Sequence, residues 1–320
     1  MDRFCSAATG WNTSLTSSDV KRRLPVEGTL WRDEYDGKTP YFNISQNSLN
    51  PVDDMNALGG YAYLVEATEF LDRIVNFLRR ESVDFSSSDD GFSRWFNVFQ
   101  ELDSMLVRWK ASLPEKWQVS RVHSNGWMDQ NLTLAHVTHN ASVILLHQNL
   151  AYATPDERIQ ILSSIASETC LTAASEIATI AKKFLYYTEN IVAPQFCLCI
   201  FIAARALLAH SEFFDSPLKG EFDSLLSALK EGSKRWPTDQ TSQDNLAKQF
   251  MDRLEAARDS HTALNVRSAA FEDEAKLSFS FPQFPDINGI LSLSNSLEPT
   301  QYLQELDRIV LWDDGVAELE

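Results

Sequence analysis

Apolar residues recur at helical spacing along most of the chain. Between residues 95 and 113 they follow one another at intervals of three and four, which places them on one face of a helix. Pro114 then ends that helix, because proline lacks the backbone N–H and its ring clashes with the preceding turn. Apolar and polar residues nowhere alternate over more than about four positions, so the strand pattern is missing. We therefore predict an all-α, multi-helical, bundle-like fold. The apolar stripe consists of Trp95, Phe99, Leu102, Leu106, Trp109 and Leu113.

Similar spacing predicts further helices. One ends at Arg79 and Arg80, and another runs over 132–152 and is apolar on most sides, which indicates a central position. The sequence Thr-Pro-Asp-Glu at 154–157 is typical of a helix start, because it combines a capping hydroxyl, a first-turn proline and a capping-box acid. The remaining predicted helices cover 194–214, 222–236 and 246–264.

Two packing arrangements are predicted from these helices. The helix that ends at Arg80 should bury a face containing Tyr61, and the stripe around Ala173 should meet the helix around Ala204. The apolar run 196–209 covers about fourteen residues, which is too short to span a bilayer, so it should be a buried helix. The first face consists of Tyr61, Leu64, Val65, Leu71, Val75 and Leu78, and the second contact joins Cys170, Ala173 and Ile177 to Phe201, Ala204 and Leu208.

The chain divides into a helical body, 1–265, and a tail, 266–320. Prolines and glycines make the body irregular up to about residue 51, and a Ser/Asp-rich loop is expected over 81–91. Residues 271–320 contribute −9 of the net charge of −17. Aromatic residues are scattered among these acids, a composition that favours a partly disordered segment that folds on a partner. An ordinary acidic tail, either free or docked on the body, is the alternative. The aromatic residues are Phe271, Phe279, Phe281, Phe284, Tyr302 and Trp312.

The net charge argues against direct DNA binding. The chain has 28 Lys and Arg against 45 Asp and Glu, and affinity for nucleic acid depends mainly on cations that neutralise phosphates. The basic runs 21–23, 79–80 and 182–183 are short, and solvated helix faces explain them more simply.

The cysteines do not indicate a metal site. Cys5, Cys170, Cys197 and Cys199 show no C-x-x-C spacing, so we expect buried, reduced thiols. Neither a cofactor nor a resident metal is expected. The sequence also lacks G-x-S-x-G, a P-loop and H-E-x-x-H, and we expect no enzyme activity and no catalytic residue.

One group of polar residues stands out on the apolar helix 132–152. His136, Asn140 and His147 lie close together on a helical wheel. Hydrogen-bonded interior histidines are the simplest interpretation. A metal held by His136 and His139 is the alternative with the least support, because no acidic or thiol partner lies nearby in sequence. A ligand pocket formed by His136, Asn140, His147 and Arg205 is the third interpretation.

Five segments carry a resemblance to a known family. They are MDRFCSAATG at the start, SVILLHQNLAY with Leu145-Leu146-His147, ETCLTAASEIATIAKKF, VAPQFCLCIFIAARALL and KRWP at 234–237. In this order they resemble the regulatory domain in the middle of fungal transcription factors whose DNA-binding module is a six-cysteine, two-zinc cluster. The resemblance covers roughly 1–265 and only the C-terminal half of that domain. It implies that a helix ends near Gly10 and that zinc belongs only to the cluster, which these residues do not contain.

The resemblance implies a regulatory and activating part of a nuclear transcription factor. Its partners would be other transcription-factor subunits or coactivators, a small-metabolite effector and a second copy of the chain, with no membrane. The target would be transcription by RNA polymerase II, for instance of a metabolic gene cluster. A free-standing or truncated regulator that titrates a related factor is one alternative, and a helical small-molecule-binding protein or enzyme is another. An in-frame six-cysteine cluster upstream of Met1 would separate the first two hypotheses.

Overall fold

The protein is all-α, as predicted. The computed structural model describes residues 2–9, 13–42, 53–80, 89–118, 122, 127–152, 160–236 and 245–260. Within these ranges 76% of the residues are helical and no strand occurs. The tail 266–320 and the helix start at 154–157 lie outside them. The α-helices are α1 Asp2–Thr9, α2 Gly28–Arg32, α3 Gly60–Arg80, α4 Asp89–Ser112, α5 Gln130–Ala151, α6 Gln160–Tyr187, α7 Pro194–Phe213, α8 Gly220–Arg235 and α9 Leu246–Ser260.

Several predicted helix ends agree with the structure. Helix α3 ends at Arg80, α4 ends just before Pro114, and α7 begins at Pro194. All six members of the α4 stripe are buried. The loop predicted over 81–91 is too long, because α4 already begins at Asp89.

Helix α5 lies at the centre of the body. It packs between α3, α6 and α7, and α4 crosses a further side. Seventeen of its 22 residues are buried, including both apolar and polar side chains. Its first turn is capped by Asp129, whose carboxylate accepts a hydrogen bond of 2.9 Å from the backbone N–H of Leu132.

Helix α7 is the most apolar helix of the described part. At 20 residues and a mean hydropathy of 1.6 in its best window, it is long and apolar enough to cross a membrane by length and composition alone, so the expectation that it is too short to do so is wrong. Its predicted burial is confirmed, because 78% of that window lies inside the body. Helices α5, α6, α8 and α9 provide the cover.

One group of ion pairs attaches α1 to the bundle, and another pair lies within the irregular segment that follows it. Arg3 on α1 donates to Glu69 on α3 at 2.8 Å, and Arg73 contacts the same carboxylate at 3.0 Å. Glu69 is only 2% exposed, so these guanidinium groups replace much of the water that its carboxylate loses on burial. Farther along, Arg23 pairs with Asp53 at 2.7 Å. The basic residues Arg3 and Arg23 therefore have structural partners.

The two predicted packing faces are right only in part. On α3, Leu71 and Val75 are buried as predicted, but Tyr61 is 56% exposed. Helices α6 and α7 do pack against each other, but the thiol of Cys170 in the α6 stripe reaches the carbonyl of Ile144 on α5 at 3.7 Å. On α7, Phe201 stacks on Phe250 of α9, with ring centroids 4.6 Å apart.

A buried hydrogen-bond network joins three helices at the centre of the body. The side-chain amide of Gln195 at the start of α7 donates to Thr68 on α3 at 3.0 Å and to Thr138 on α5 at 2.9 Å. Amide and hydroxyl groups in an apolar interior need such partners, because an unpaired group costs about 1–3 kcal/mol.

Replacing the amide should therefore weaken the body. We expect Gln195→Leu to lower the free energy of unfolding by about 1–3 kcal/mol, because both hydroxyls lose a donor at nearly constant volume. Gln160→Leu at the exposed start of α6 is the matched control and should change stability by less than about 0.5 kcal/mol. Urea denaturation measures both, and equal midpoints would contradict the proposed role of the network.

Candidate functional site

The three histidines of α5 are interior groups that hold α4. Nε2 of His139 donates to the carbonyl of Leu106 at 3.1 Å, and Nε2 of His147 donates to Asp103 at 3.0 Å. Nε2 of His136 donates to the carbonyl of Trp117, just after α4, at 2.9 Å. These contacts confirm the interpretation as hydrogen-bonded interior histidines.

The Nδ1 atom of His136 has a charged neighbour. Lys110 on α4 donates to it at 3.3 Å and, on its other side, to the carboxylate of Glu176 on α6 at 3.0 Å. Lys110 therefore bridges α4, α5 and α6. Both partners of the ion pair are partly exposed, Lys110 by 32% and Glu176 by 42% of their side chains.

Burial sets the protonation of this cluster. It lowers the pKa of His136 to about 4, and the charge of Lys110 adds to the effect. Burial also lowers the pKa of His139 to about 4, so both rings are neutral at pH 7. For Glu176, burial raises the pKa, but Lys110 and its neighbours His136 and Asn140 lower it by more, and the carboxylate is ionised.

A cleft opens beside this cluster, between α5 and α6. It has a volume of about 330 Å³, near the lower limit for small-molecule sites. Val143 of α5 and Ala173 of α6 form apolar parts of its lining, together with Ile165, which is 56% exposed. Glu168, Thr169, Thr172 and Glu176 supply carboxylates and hydroxyls along α6.

Asn140 is the polar group of α5 in this cleft. It is only 4% exposed, and its side chain lies close enough to Glu176 to help lower the pKa of that carboxylate. Its Nδ2 atom nevertheless has no hydrogen bond of good geometry within the part of the chain that the structure describes. A buried amide without a well-placed acceptor is uncommon, and a ligand acceptor in the cleft would satisfy it better.

Arg205 lies elsewhere, on the side of α5 that faces α7. It is 3% exposed and donates from one Nη atom to the side chain of Gln148 at 3.1 Å. Burial lowers the pKa of its guanidinium to about 10, and no carboxylate contacts it within the described ranges.

The structure thus separates the four residues of the predicted pocket. Of the four, only Asn140 lines the cleft, and His136 reaches the cluster beside it through Lys110. His147 contacts α4, and Arg205 contacts Gln148. Sequence reasoning missed Lys110 and Glu176, which lie 66 positions apart and meet only in the folded chain.

The thiols agree with the prediction in part. Cys170, Cys197 and Cys199 are buried, whereas Cys5 is only half-buried. Burial raises the pKa of Cys197 and Cys199 to about 12, so neither is an ionised nucleophile at pH 7. Within the described ranges, no group of three His, Cys, Asp or Glu side chains is arranged to hold a metal ion.

Comparison of the chain with protein-family models, with curated proteins and with solved structures gives no match.

Because of the cleft, two neighbouring alanines of α6 should differ in how well they tolerate a larger side chain. Ala174 is fully buried, so Ala174→Phe should overpack the interior and lower the free energy of unfolding by about 1–3 kcal/mol. Ala173→Phe should cost less than about 1 kcal/mol, because its ring can turn into the cleft. Urea denaturation of both variants tests this difference. An equal or larger loss for Ala173→Phe would show that the cleft cannot accept a side group.

Protonation of the α5 histidines should make stability depend on pH. Both rings have a folded pKa near 4 against 6.5 in the unfolded chain, so unfolding takes up protons and stability falls as pH falls below 6.5. Glu66 acts in the opposite direction, because burial raises its pKa from 4.5 to about 7 against the hydrogen bond from Trp109, and the folded chain keeps that proton.

Glu66→Gln removes this opposing effect. As pH falls from about 6.5 to 5, the variant should lose stability more steeply than the parent chain, because it lacks the proton that folded Glu66 keeps. The two slopes should differ by about one proton, which is about 1.4 kcal/mol per pH unit. Denaturation at a series of pH values measures the slopes. Glu101→Gln, on the exposed side of α4, is the control that should keep the parent slope. Parallel curves for parent and Glu66→Gln would exclude an elevated pKa for Glu66.

Proposed function

We propose that this chain is the regulatory and activating part of a fungal zinc-cluster transcription factor and acts in the nucleus on transcription by RNA polymerase II. The observation that supports this most is the combination of an all-α body with an acidic, aromatic-rich tail. Four of the five family-like segments lie in the central helices α5, α6 and α7 and at the end of α8, and the first lies in α1.

Composition indicates which functions of such a factor these residues can carry. Four cysteines cannot form the six-cysteine cluster of the family, and a net charge of −17 repels nucleic acid. DNA contact and zinc are therefore assigned to residues outside these 320. Within them, the helical body receives the regulatory input and the tail recruits the transcription machinery.

Aromatic side chains of the tail would provide the anchors for a coactivator. Aromatic groups contribute most of the binding energy in many interfaces, and surrounding acidic residues favour solubility. On this proposal Phe279, Phe281, Phe284 and Trp312 are the residues that carry activation.

A reporter assay tests this. The full chain, fused to an unrelated DNA-binding domain, should raise expression from a matched promoter by about tenfold in yeast. Replacing Phe279, Phe281, Phe284 and Trp312 together by alanine should remove most of that increase, because it leaves the charge unchanged and deletes the anchors. The matched control replaces Ser278, Ser280, Ser292 and Ser294 by alanine. No activation by the full chain, or equal activation by both variants, would contradict the proposal.

A further inference from the structure

The cleft between α5 and α6 has the parts of a binding site for one chemical class. Its α6 side presents Glu176, whose carboxylate is paired at 3.0 Å with Lys110 of α4. Its α5 side presents Asn140, a buried amide whose Nδ2 atom lies near Glu176 but makes no hydrogen bond of good geometry in the described part of the chain. Three groups of known charge and polarity therefore lie together.

The ion pair can open at little cost. Partly exposed pairs such as Lys110–Glu176 contribute only about 0–1 kcal/mol, because water and salt screen them. A ligand that offers one positive and one negative group can enter between the two partners and keep both of them paired. A ligand with a single charge would leave Lys110 or Glu176 without its partner.

The apolar part of the cleft determines which kind of side chain the ligand should have. Val143 and Ala173 line it beside the charged end, and the half-exposed Ile165 extends it along α6. An aliphatic group placed there would cover apolar surface that now faces water, which is favourable by about 25 cal/mol per Å². Glu168 lines the same cleft and would repel a ligand with a second negative charge.

We infer that this cleft binds a free α-amino acid with an apolar side chain. The ligand ammonium pairs with Glu176, and its carboxylate pairs with Lys110 and accepts a hydrogen bond from Nδ2 of Asn140. The aliphatic side chain lies against Val143, Ala173 and Ile165. The inference does not depend on the proposed role in transcription, since each can fail without the other.

Binding would act on α4. Lys110 is the residue through which α4 reaches α6, and in the free chain it also donates to His136 at 3.3 Å. When the ligand takes its place on Glu176, α4 is linked to α6 through the bound amino acid instead of directly. Occupancy of the cleft would in this way be transmitted to α4.

Isothermal titration of the full chain with L-leucine tests the inference. We expect a dissociation constant below about 1 mM, whereas 4-methylpentanoate, which lacks the ammonium, and leucinamide, which lacks the carboxylate, should bind at least tenfold more weakly. L-glutamate should also bind at least tenfold more weakly, because Glu168 repels its side chain. No measurable binding of L-leucine up to about 10 mM, or equal binding of 4-methylpentanoate, would overturn the inference.

Matched variants distinguish the effect of the cleft carboxylate on binding from the effect of the overall negative charge. Glu176→Gln should weaken L-leucine binding at least tenfold, whereas Glu101→Gln, which removes the same charge from the exposed side of α4, should leave it unchanged. Ala173→Phe should abolish binding by filling the cleft and serves as a second test if Glu176→Gln unfolds. Equal affinities in Glu176→Gln and Glu101→Gln, or full binding by Ala173→Phe, would place the ligand elsewhere and contradict the inference.

Discussion

The structure depends on the satisfaction of polar groups on a helix that is buried on nearly every side. Helix α5 has three histidines, Thr138 and Gln148 in its interior positions, and each finds a hydrogen-bond partner outside α5. An apolar helix in this place would pack equally well in several rotations. Directional hydrogen bonds allow only one of these rotations, since leaving a buried donor or acceptor unpaired costs about 1–3 kcal/mol.

The same contacts link α5 to close neighbours and to one helix, α4, whose backbone lies farther away. Helices α3, α6 and α7 pack closely against α5, and α8 and α9 close the far side. Helix α4 lies farther away and reaches α5 through large rings and histidines, such as Trp109 stacked on His139 at 5.0 Å. The proposed amino-acid site lies where α4 and α6 are joined by Lys110, so a ligand there would act on the attachment of α4.

Sequence pattern predicts the fold better than the site, for physical reasons. Spacing of apolar residues locates helices such as α4, because the stripe from Trp95 to Leu113 records which face is buried. It does not record which neighbour covers that face, and so the α6 stripe around Ala173 is predicted to meet α7 although Cys170 of that stripe contacts α5. Lys110 and Glu176 look like ordinary surface charges in sequence, and only the folded chain brings them together. The interior role of the α5 histidines could be predicted, because polar groups on an apolar helix need partners.

Hydrogen exchange read out by mass spectrometry tests the central claim most directly. If α4 is held mainly by side chains and by the bridge through Lys110, its backbone amides should exchange through a local opening. Those of α5 and α7 should exchange only when the whole body unfolds. The account predicts markedly lower protection for the peptides covering 91–112 than for those covering 132–151 and 196–209. Equal protection of all three segments would contradict it, because α4 would then be as much a part of the rigid core as the helix it rests on.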